Sequence, residues 1–568
     1  MTRARAKRWA RALGVLALFV LAFWLTGCDP AVFWARRAHL RDIAAQLFPP
    51  DWSYLSAIVA PLLATLRMSV TGTALGVALA LGFAPLCAHN LPCPAPVRAV
   101  LRFLVQVLRS FPALILALLA TFLFGLGTFS GTVAITAFTL AVMTRLTYED
   151  IETLSLAPYR ALYAMGASPA RAYARAVVPE IASGYLTNAL YLLETNVRHS
   201  AILGYVGAGG IGLLLNEKIS WREYGRVGAI LMCLFVTVCC IEWLSHALGR
   251  IIRGERSISR PAKRVLWAAV LLCVVVCTVG IDPPDFAHTS KSVLSAMGTG
   301  LLHPDWRFFF GTGKDGLGWL LLETVGIALA GTGLGALLAA PLAFLSTPKL
   351  LPRPAALLFR VLIVAIRSVP FLIYGLIFIR VSGPGAFTGV LTLAVCSIGL
   401  LSKRFTEAIE ALDFRAYDAL RAMGVSLLPR IRYAVLPQLA PALASAVLYR
   451  FDVNIREASV LGLVGAGGIG MSALIRYFLS KGKTVAGYDR TSSELTERLI
   501  TEGAQIHYEE DINLIPEECK DKASTLVVYT PAVPQEHAEL TYFRENGFDI
   551  HKRSQVLGII TRSSKGLC

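Results

Sequence analysis

Four arginines stand in stretches that are otherwise apolar. Arg109 and Arg367 each open the tetrad Arg-Ser-x-Pro, at Arg109-Ser110-Phe111-Pro112 and Arg367-Ser368-Val369-Pro370. Arg198 and Arg456 each follow an asparagine by two, in Asn196-Val197-Arg198 and Asn454-Ile455-Arg456. A cation at membrane depth costs about 2.5 to 3.5 kcal/mol on insertion scales, which makes it a functional candidate by default. The chemistry available is attraction of an anion along a path; the plainer alternative for Arg109 and Arg367, near the ends of their spans, is snorkelling to headgroups. A second constellation lies further on, where Gly465-x-Gly467-x-x-Gly470 is followed by Asp489 nineteen residues after the last glycine. That spacing fits a loop holding nucleotide phosphates at a helix amino end, with the acid near a ribose. Eleven cysteines and nine histidines are scattered, and no metal site is expected from them.

The elements that must position the arginines are membrane helices. Of 568 residues 55% are apolar and only 16% charged, with a mean hydropathy of +0.60, against about 25% charged in soluble domains. Spans of about 20 apolar residues are expected at 10–27, 54–87, 99–126, 128–146, 182–206 and 227–248, then at 264–281, 317–346, 356–380, 384–402 and 440–463. The net charge of +17 divides unevenly: residues 471–568 hold 12 Lys and Arg against 14 Asp and Glu, a net of −2, which leaves +19 to residues 1–470. Arg3, Arg5, Lys7, Arg8 and Arg11 before the first span, and Arg250, Arg253, Arg256, Arg260, Lys263 and Arg264 between the halves, place both segments in the cytoplasm. The even number of spans between them agrees. The basic excess therefore belongs to loops, and no nucleic-acid partner is expected. Leu25-Thr26-Gly27-Cys28 also has the form of a lipoprotein signal; an uncleaved first span fits the repeat better.

The membrane part repeats at an offset of 258 residues. The two Arg-Ser-x-Pro tetrads, Ala164-Met165-Gly166 with Ala422-Met423-Gly424, Val178-Pro179 with Leu436-Pro437, and Gly207-Ala208-Gly209-Gly210-Ile211-Gly212 with Gly465-Ala466-Gly467-Gly468-Ile469-Gly470 all fall in register. Two like domains in one orientation are the simplest reading. Each fourth span is followed by a polar stretch, Tyr159-Arg160-Ala161-Leu162 to Pro179 and Tyr417-Asp418-Ala419-Leu420 to Pro437, with the pattern helix, glycine turn, helix. A short surface helix of this kind could enter a groove of a cytoplasmic partner.

These residues resemble the permease subunits of binding-protein-dependent ABC importers, whose cytoplasmic signature has the form Glu-Ala-Ala, three residues, Gly, nine residues, Ile, one residue, Leu-Pro. Arg160, Ala161, Gly166 and Pro179 occupy that pattern in the first half, and Asp418, Ala419, Gly424 and Pro437 in the second. Arg160 reverses the charge of the signature's acid. Pro50-Asp51-Trp52, the Arg-Ser-x-Pro tetrads and the run Asn454 to Gly462 are similar to the phosphonate branch. The resemblance covers about residues 1–470. It implies two permease domains, 1–257 and 258–470, fused into one pathway in a bacterial inner membrane. It also implies a separate cytoplasmic ATPase pair engaging the two loops, and a periplasmic or extracellular substrate-binding protein. No cofactor is expected on the permease itself, since ATP is used by the partner subunit and no Walker A loop occurs in 1–470. Arg198, Arg456, Arg109 and Arg367 are the candidates for the path.

After Gly470 the pattern changes to alternating helices and strands: helix 471–481, strand 484–489, helix 494–502 and strand 524–529. With Val460 to Val464 as a first strand, this reads as a Rossmann-like fold. Gly468-Ile469-Gly470-Met471, Tyr529-Thr530-Pro531-Ala532 and Lys552-Arg553-Ser554-Gln555 resemble the amino-terminal domain of UDP-N-acetylmuramate:L-alanine ligase, which holds a UDP-sugar. The resemblance implies Gly465, Gly467, Gly470 and Asp489 as nucleotide-binding residues. The Gly-Thr-His-Gly-Lys-Thr loop of that family's ATP-binding domain is not in the sequence, and ligase activity is not expected. The glycine run fits both families, so residues 458–464 would have to end a membrane helix and form a sheet strand together. That conflict favours a chimera joined at the glycine run. The expected fold is thus an all-α polytopic membrane protein of about 11 spans, followed by a small α/β Rossmann-like fragment at 471–568. Its function is that of an ABC importer permease for phosphonate or a related oxyanion; a membrane-tethered nucleotide-sugar-binding protein is the alternative.

Overall fold

A computed structural model describes residues 14, 17–27, 34, 37–221, 223–255, 259–284, 299, 303, 306–311, 316–383, 385–465, 469–488, 494–522, 525–529, 537–552 and 556. The chain divides into two compact units, residues 1–216 with 224–462, and residues 217–223 with 463–568.

The first unit is helical, and its repeat is visible element by element. Ala95–Ser110, Ala113–Phe124, Ala157–Ala164, Pro169–Ala172, Tyr173–Val177 and the start of Val178–Leu203 recur 258 residues later as Arg353–Ser368, Phe371–Ser382, Arg415–Ala422, Leu427–Arg430, Ile431–Val435 and the start of Leu436–Gly465. Gly125 and Gly127 have φ of 81° and 138°, and Gly383 and Gly385 have 84° and 144°. These pairs turn the chain between two helices in a region of φ that residues with a Cβ avoid.

Among the described residues seven helices are long and apolar enough to cross a membrane, or nine if two bent pairs each count as one. The bent pairs are the difference from expectation. Residues 99–126 and 356–380 were expected as single spans, yet Ala95–Ser110 meets Ala113–Phe124 at 98° and Arg353–Ser368 meets Phe371–Ile379 at 80°. The breaks fall within the Arg-Ser-x-Pro tetrads. A proline ring clashes with helical backbone at the residue before it; accordingly Phe111 is extended (φ −78°, ψ 129°), and so is Val369 (φ −79°, ψ 121°). Val178–Leu203, at 26 residues, is long enough to cross but carries Glu180, Glu194 and Arg198. The expected span 10–27 is described over 17–27 and at residue 14; Cys28 and the basic residues before the span lie outside the described residues.

The first helices of the two halves exchange partners. Ala22 packs with Ala330 and Val390 of the second half. Arg260–Val279, at the start of the second half, lies along Leu55–Cys87 of the first. Asp51, before the second span, accepts hydrogen bonds from the Ser53 amide (3.1 Å) and hydroxyl (2.5 Å) and lies 3.5 Å from Arg226. The Ser53 hydroxyl, with Arg226, holds its carboxyl below the ordinary range.

In the second unit Ile469–Ser480 and Glu494–Thr501 are the expected helices, and Ala486–Tyr488 (β1) and Leu526–Tyr529 (β3) lie within the expected strands. Gln505–His507 (β2) pairs with β1 and Asp549–Lys552 (β4) with β3, both parallel, as two separate two-stranded sheets. The strand expected at Val460–Val464 is absent: Leu436–Gly465 runs through it as helix. Extending a formed helix adds one hydrogen bond for each residue fixed.

Candidate functional site

The helix Val178–Leu203 carries Glu194 and Arg198 one turn apart, and the helix that ends at the second Arg-Ser-x-Pro break carries Arg367 in its last turn. These two elements meet between the halves. Arg367 donates through one terminal nitrogen to Glu194, and through the other to Glu242 Oε1 at 3.2 Å. Arg198 Nη1 lies 3.0 Å from Glu194 Oε1. Lys403 Nζ bridges Glu242 Oε1 at 2.7 Å and Glu194 Oε2 at 3.8 Å. Arg367 and Glu194 are buried, 7% and 5% exposed, so their charges survive there only because each finds opposite charge and hydrogen bonds. Beside them is a cavity of about 60 Å³ lined by Tyr191, Arg198, Arg367, Leu400, Lys403, Arg404 and Glu407. It holds only a few waters. Arg404 lies 3.6 Å from Glu407 and stacks over Tyr191 at 5.5 Å. Arg198, Arg367, Lys403 and Arg404 set four cations against Glu194, Glu242 and Glu407, which leaves one positive charge in excess.

The mirror positions are arranged differently. Arg456 pairs with Asp452 at 2.9 Å and approaches the Arg109 carbonyl at 3.5 Å. Arg109 has no ion pair among the described residues, and its buried Nε has no hydrogen-bond partner. Arg367 Nε is likewise unpartnered, but both of its terminal nitrogens are in ion pairs. Of the four arginines expected along a path, Arg198 and Arg367 are therefore brought together at the cavity, while Arg109 and Arg456 meet at a second, more open place.

Each polar loop forms the expected helix, turn and helix. Ala157–Ala164 ends at Gly166 (φ 86°) and Arg415–Ala422 at Gly424 (φ 76°). The Ala167 amide bonds to the Leu162 carbonyl and the Val425 amide to the Leu420 carbonyl, both at 3.1 Å, which closes a Schellman turn in each copy. Tyr159 and Tyr417 anchor the short helices in the cores below. Arg160, Ala161, Asp418 and Ala419 are exposed, and so are Met165 and Met423, at 75% and 68%. A π-helical turn, Tyr173–Val177 or Ile431–Val435, then leads into the helix with Pro179 or Pro437 in its first turn.

The first glycine run is a close-packed turn. A Cβ on Gly204 would lie 2.3 Å from the Leu213 amide, one on Gly212 2.4 Å from the Ala201 carbonyl, and the Ile211 amide donates to Thr65 Oγ1 at 2.8 Å. In the second run Gly465 and Gly470 lie in helices, whereas Gly467 and Asp489 lie outside the described residues. With a helix before it in place of a strand, the run lacks the strand, loop and helix order expected of a nucleotide cradle.

Glu194, Glu242, Lys403 and Arg404 were not among the expected site residues. The signal for Glu194 was present, since a carboxylate stands four residues before the arginine in both Glu194/Arg198 and Asp452/Arg456, the spacing of a helical ion pair. Glu242 has no mark of its own in the sequence beyond being a charge inside a span.

The family model of the binding-protein-dependent transport system inner membrane component matches residues 72–254 and 317–485, and the Mur ligase family, catalytic domain, matches 461–565. The two overlap at 461–485, across the glycine run that fits both. The phosphate-import permease protein PhnE of Mycolicibacterium smegmatis is 30% identical over 458 residues, 79% of this chain and 85% of the relative. The phosphite transport system permease protein PtxC of Stutzerimonas stutzeri is 32% identical over 247 residues, 43% of this chain and 90% of the relative. The UDP-N-acetylmuramate–L-alanine ligase of Phocaeicola vulgatus is 73% identical over 117 residues, 21% of this chain; the chain spans only 25% of that relative's length. With both halves of the repeat inside the first model and the apolar helices to cross a bilayer, the chain belongs to the binding-protein-dependent transport system inner membrane components, the multi-pass permeases of ABC importers, and carries a Mur ligase-like segment at its carboxyl end.

Proposed function

We propose that this permease conducts a small phosphorus oxyanion, phosphonate, phosphate or phosphite, along a path that passes the cavity between the halves. The observation that carries this reading is the charge excess there: Arg198, Arg367, Lys403 and Arg404 outnumber the carboxylates they contact. The relatives named for phosphate and phosphite supply the anion class. A cavity of about 60 Å³ is too tight for free passage of a hydrated oxyanion, so transport requires the halves to separate there. The exposed short helices Ala157–Ala164 and Arg415–Ala422 are where a separate ATPase pair would push, with Arg160, Ala161, Gly166 and Pro179, and Asp418, Ala419, Gly424 and Pro437, forming the coupling segments. ATP is consumed by that partner, the permease binds no cofactor, and an external binding protein delivers the substrate. The carboxyl-terminal segment is a chimeric fragment without ligase activity.

The test is uptake of labelled phosphite and phosphate by cells expressing the chain with a phosphite-type ATPase and binding protein. Saturable uptake that competes with methylphosphonate and falls tenfold or more in an Arg198→Ala/Lys403→Ala variant is expected. Uptake undiminished in that variant, or competed equally by sulfate, would refute the reading. A second reading, nucleotide-sugar binding by the carboxyl-terminal segment, is favoured by its 73% identity to a ligase; calorimetry of the whole detergent-solubilised chain with UDP-N-acetylmuramate decides it.

A further inference from the structure

The two halves differ in what covers the helix before each Arg-Ser-x-Pro break. In the second half Tyr224–Ile252 packs on Arg353–Ser368 and delivers Glu242 to Arg367 and Lys403. That helix is the sixth span of the first half. In the second half Leu436–Gly465 is followed by the 12-residue helix Ile469–Ser480 and then strands, and no described helix of the first unit takes the mirror place on Ala95–Ser110.

The uncovered surface can be read by comparing positions 258 residues apart. Ser368 is buried and Val364, Ala365 and Val369 are half-buried, whereas Ser110, Gln106, Val107 and Phe111 are all exposed. Glu194 is buried and Tyr191 half-buried; their mirrors Asp452 and Tyr449 are exposed, and so is Leu448. Residues exposed in both copies, such as Phe103 and Val361, do not contribute to this difference. Along the stripe lies Arg109, with its buried, unpartnered Nε and no ion pair among the described residues. Its mirror, Arg367, takes the Glu242 carboxylate. The stripe sets apolar Val107, Phe111, Leu448 and Tyr449 among polar Gln106, Ser110 and Asp452, and it lacks a counterpart of the Glu242 carboxylate that Arg367 receives.

We propose that this face, formed by Ala95–Ser110 and the middle of Leu436–Gly465, is a docking surface for one membrane-spanning helix supplied by another polypeptide, mostly apolar and bearing a carboxylate that reaches Arg109. Shape and charge both specify that occupant: the mirror face is already filled by the mostly apolar helix Tyr224–Ile252, whose one carboxylate, Glu242, reaches Arg367, and a cation without an opposite charge inside a membrane is costly. A bilayer lipid covers apolar side chains equally well but brings no carboxylate to that depth. The docked helix closes the open cluster of Arg109, Asp452 and Arg456 as Tyr224–Ile252 closes its counterpart.

The probe is a tagged single-span segment, residues 221–255, co-expressed with the full chain and purified in mild detergent. Copurification is expected, falling at least fivefold when the segment carries Glu242→Gln, or when the full chain carries Arg109→Ala. Binding unchanged by Arg367→Ala in the full chain separates docking at this face from exchange with the chain's own sixth span. Absence of copurification, or copurification indifferent to both substitutions, overturns the proposal. Formation of a stable dimer of the chain that the segment fails to dissociate also overturns it, because a second copy would then occupy the face.

Discussion

Two clusters built from the same repeat, each with one positive charge in excess, differ in how their charges are partnered. Around Arg367, the side chains of Glu194, Glu242, Arg198 and Lys403 form a closed network in which every charge meets at least one opposite charge. Around Arg109, Asp452 and Arg456 pair with each other on an exposed face, and Arg109 has no ion pair among the described residues. The arginines, their places in the helices and the i, i+4 acid are shared; coverage by a sixth span is not. An exposed ion pair contributes about 0 to 1 kcal/mol, whereas breaking a buried one costs about 3 to 5 kcal/mol because it strands a charge. The two halves should therefore respond unequally to matched substitutions.

The largest inequality is expected at the acids. Glu194→Gln leaves Arg198, Arg367 and Lys403 with Glu242 alone, a destabilisation of about 3 to 5 kcal/mol, whereas Asp452→Asn removes one partner of an exposed pair and costs under about 1 kcal/mol. Fluorescence-detected thermal unfolding in detergent, read beside substrate uptake, checks this: Glu194→Gln should lower both severely and Asp452→Asn neither. Equal effects would mean that the two clusters are equally desolvated.

Next in size is the arginine pair. Arg367→Ala strands Glu194 and Glu242, but Lys403 and Arg198 remain beside them, so the expected loss is about 2 kcal/mol. Arg109→Ala should leave stability unchanged or raise it, since it removes a cation without an ion pair. Adding Glu242→Gln to Arg367→Ala should recover part of the loss, and a thermal-shift comparison of the two variants measures the coupling.

How much of this was readable beforehand varied with the kind of interaction. The 258-residue register carried over into helix boundaries and into the φ values of Gly166 and Gly424, because turns and caps are local and their residue types are few. The breaks at Phe111 and Val369 are marked only by the proline that follows each, whereas hydropathy runs unbroken across the tetrad and suggests a single span. The pairing of Arg367 with Glu194 and Glu242 was not readable, since it joins residues 173 and 125 positions apart. At the join, helix and strand signals competed for residues 458–465, and the helix already running from Leu436 prevailed.

Where the halves build the same environment they should respond alike. Asn196 Nδ2 donates to Thr73 Oγ1 and Thr139 Oγ1, both at 2.8 Å; Asn454 Nδ2 donates to Thr332 Oγ1 at 2.7 Å and Ser397 Oγ at 3.0 Å. Both asparagines are fully buried. Replacing either with Ala takes a donor from two buried hydroxyls, but Thr73 and Thr332 still donate to the Ser69 and Ala328 carbonyls, and Ser397 Oγ still accepts from Arg450 Nε at 3.0 Å. The cost should be about 1 to 2 kcal/mol at each site, with Asn454→Ala no costlier than Asn196→Ala in thermal unfolding because Ser397 keeps a second donor. A large difference would show that the asymmetry of the ion clusters extends into the helix cores.

The smallest expected effect tests the comparison at the coupling segments. Gly166→Ala and Gly424→Ala force a Cβ into a left-handed conformation; each should cost about 1 kcal/mol, and no neighbour lies within 4 Å of either added Cβ to make one site worse. Stability should therefore fall equally. Transport need not, because the first short helix presents Arg160 where the second presents Asp418, so the proposed ATPase pair would meet opposite charges at the two sites. Substrate-stimulated ATP hydrolysis by the assembled importer separates the possibilities. If both segments transmit the stroke, the two alanine variants reduce stimulation alike; if the charge reversal at Arg160 weakens the first contact, Gly424→Ala has the larger effect although the two proteins unfold at the same temperature.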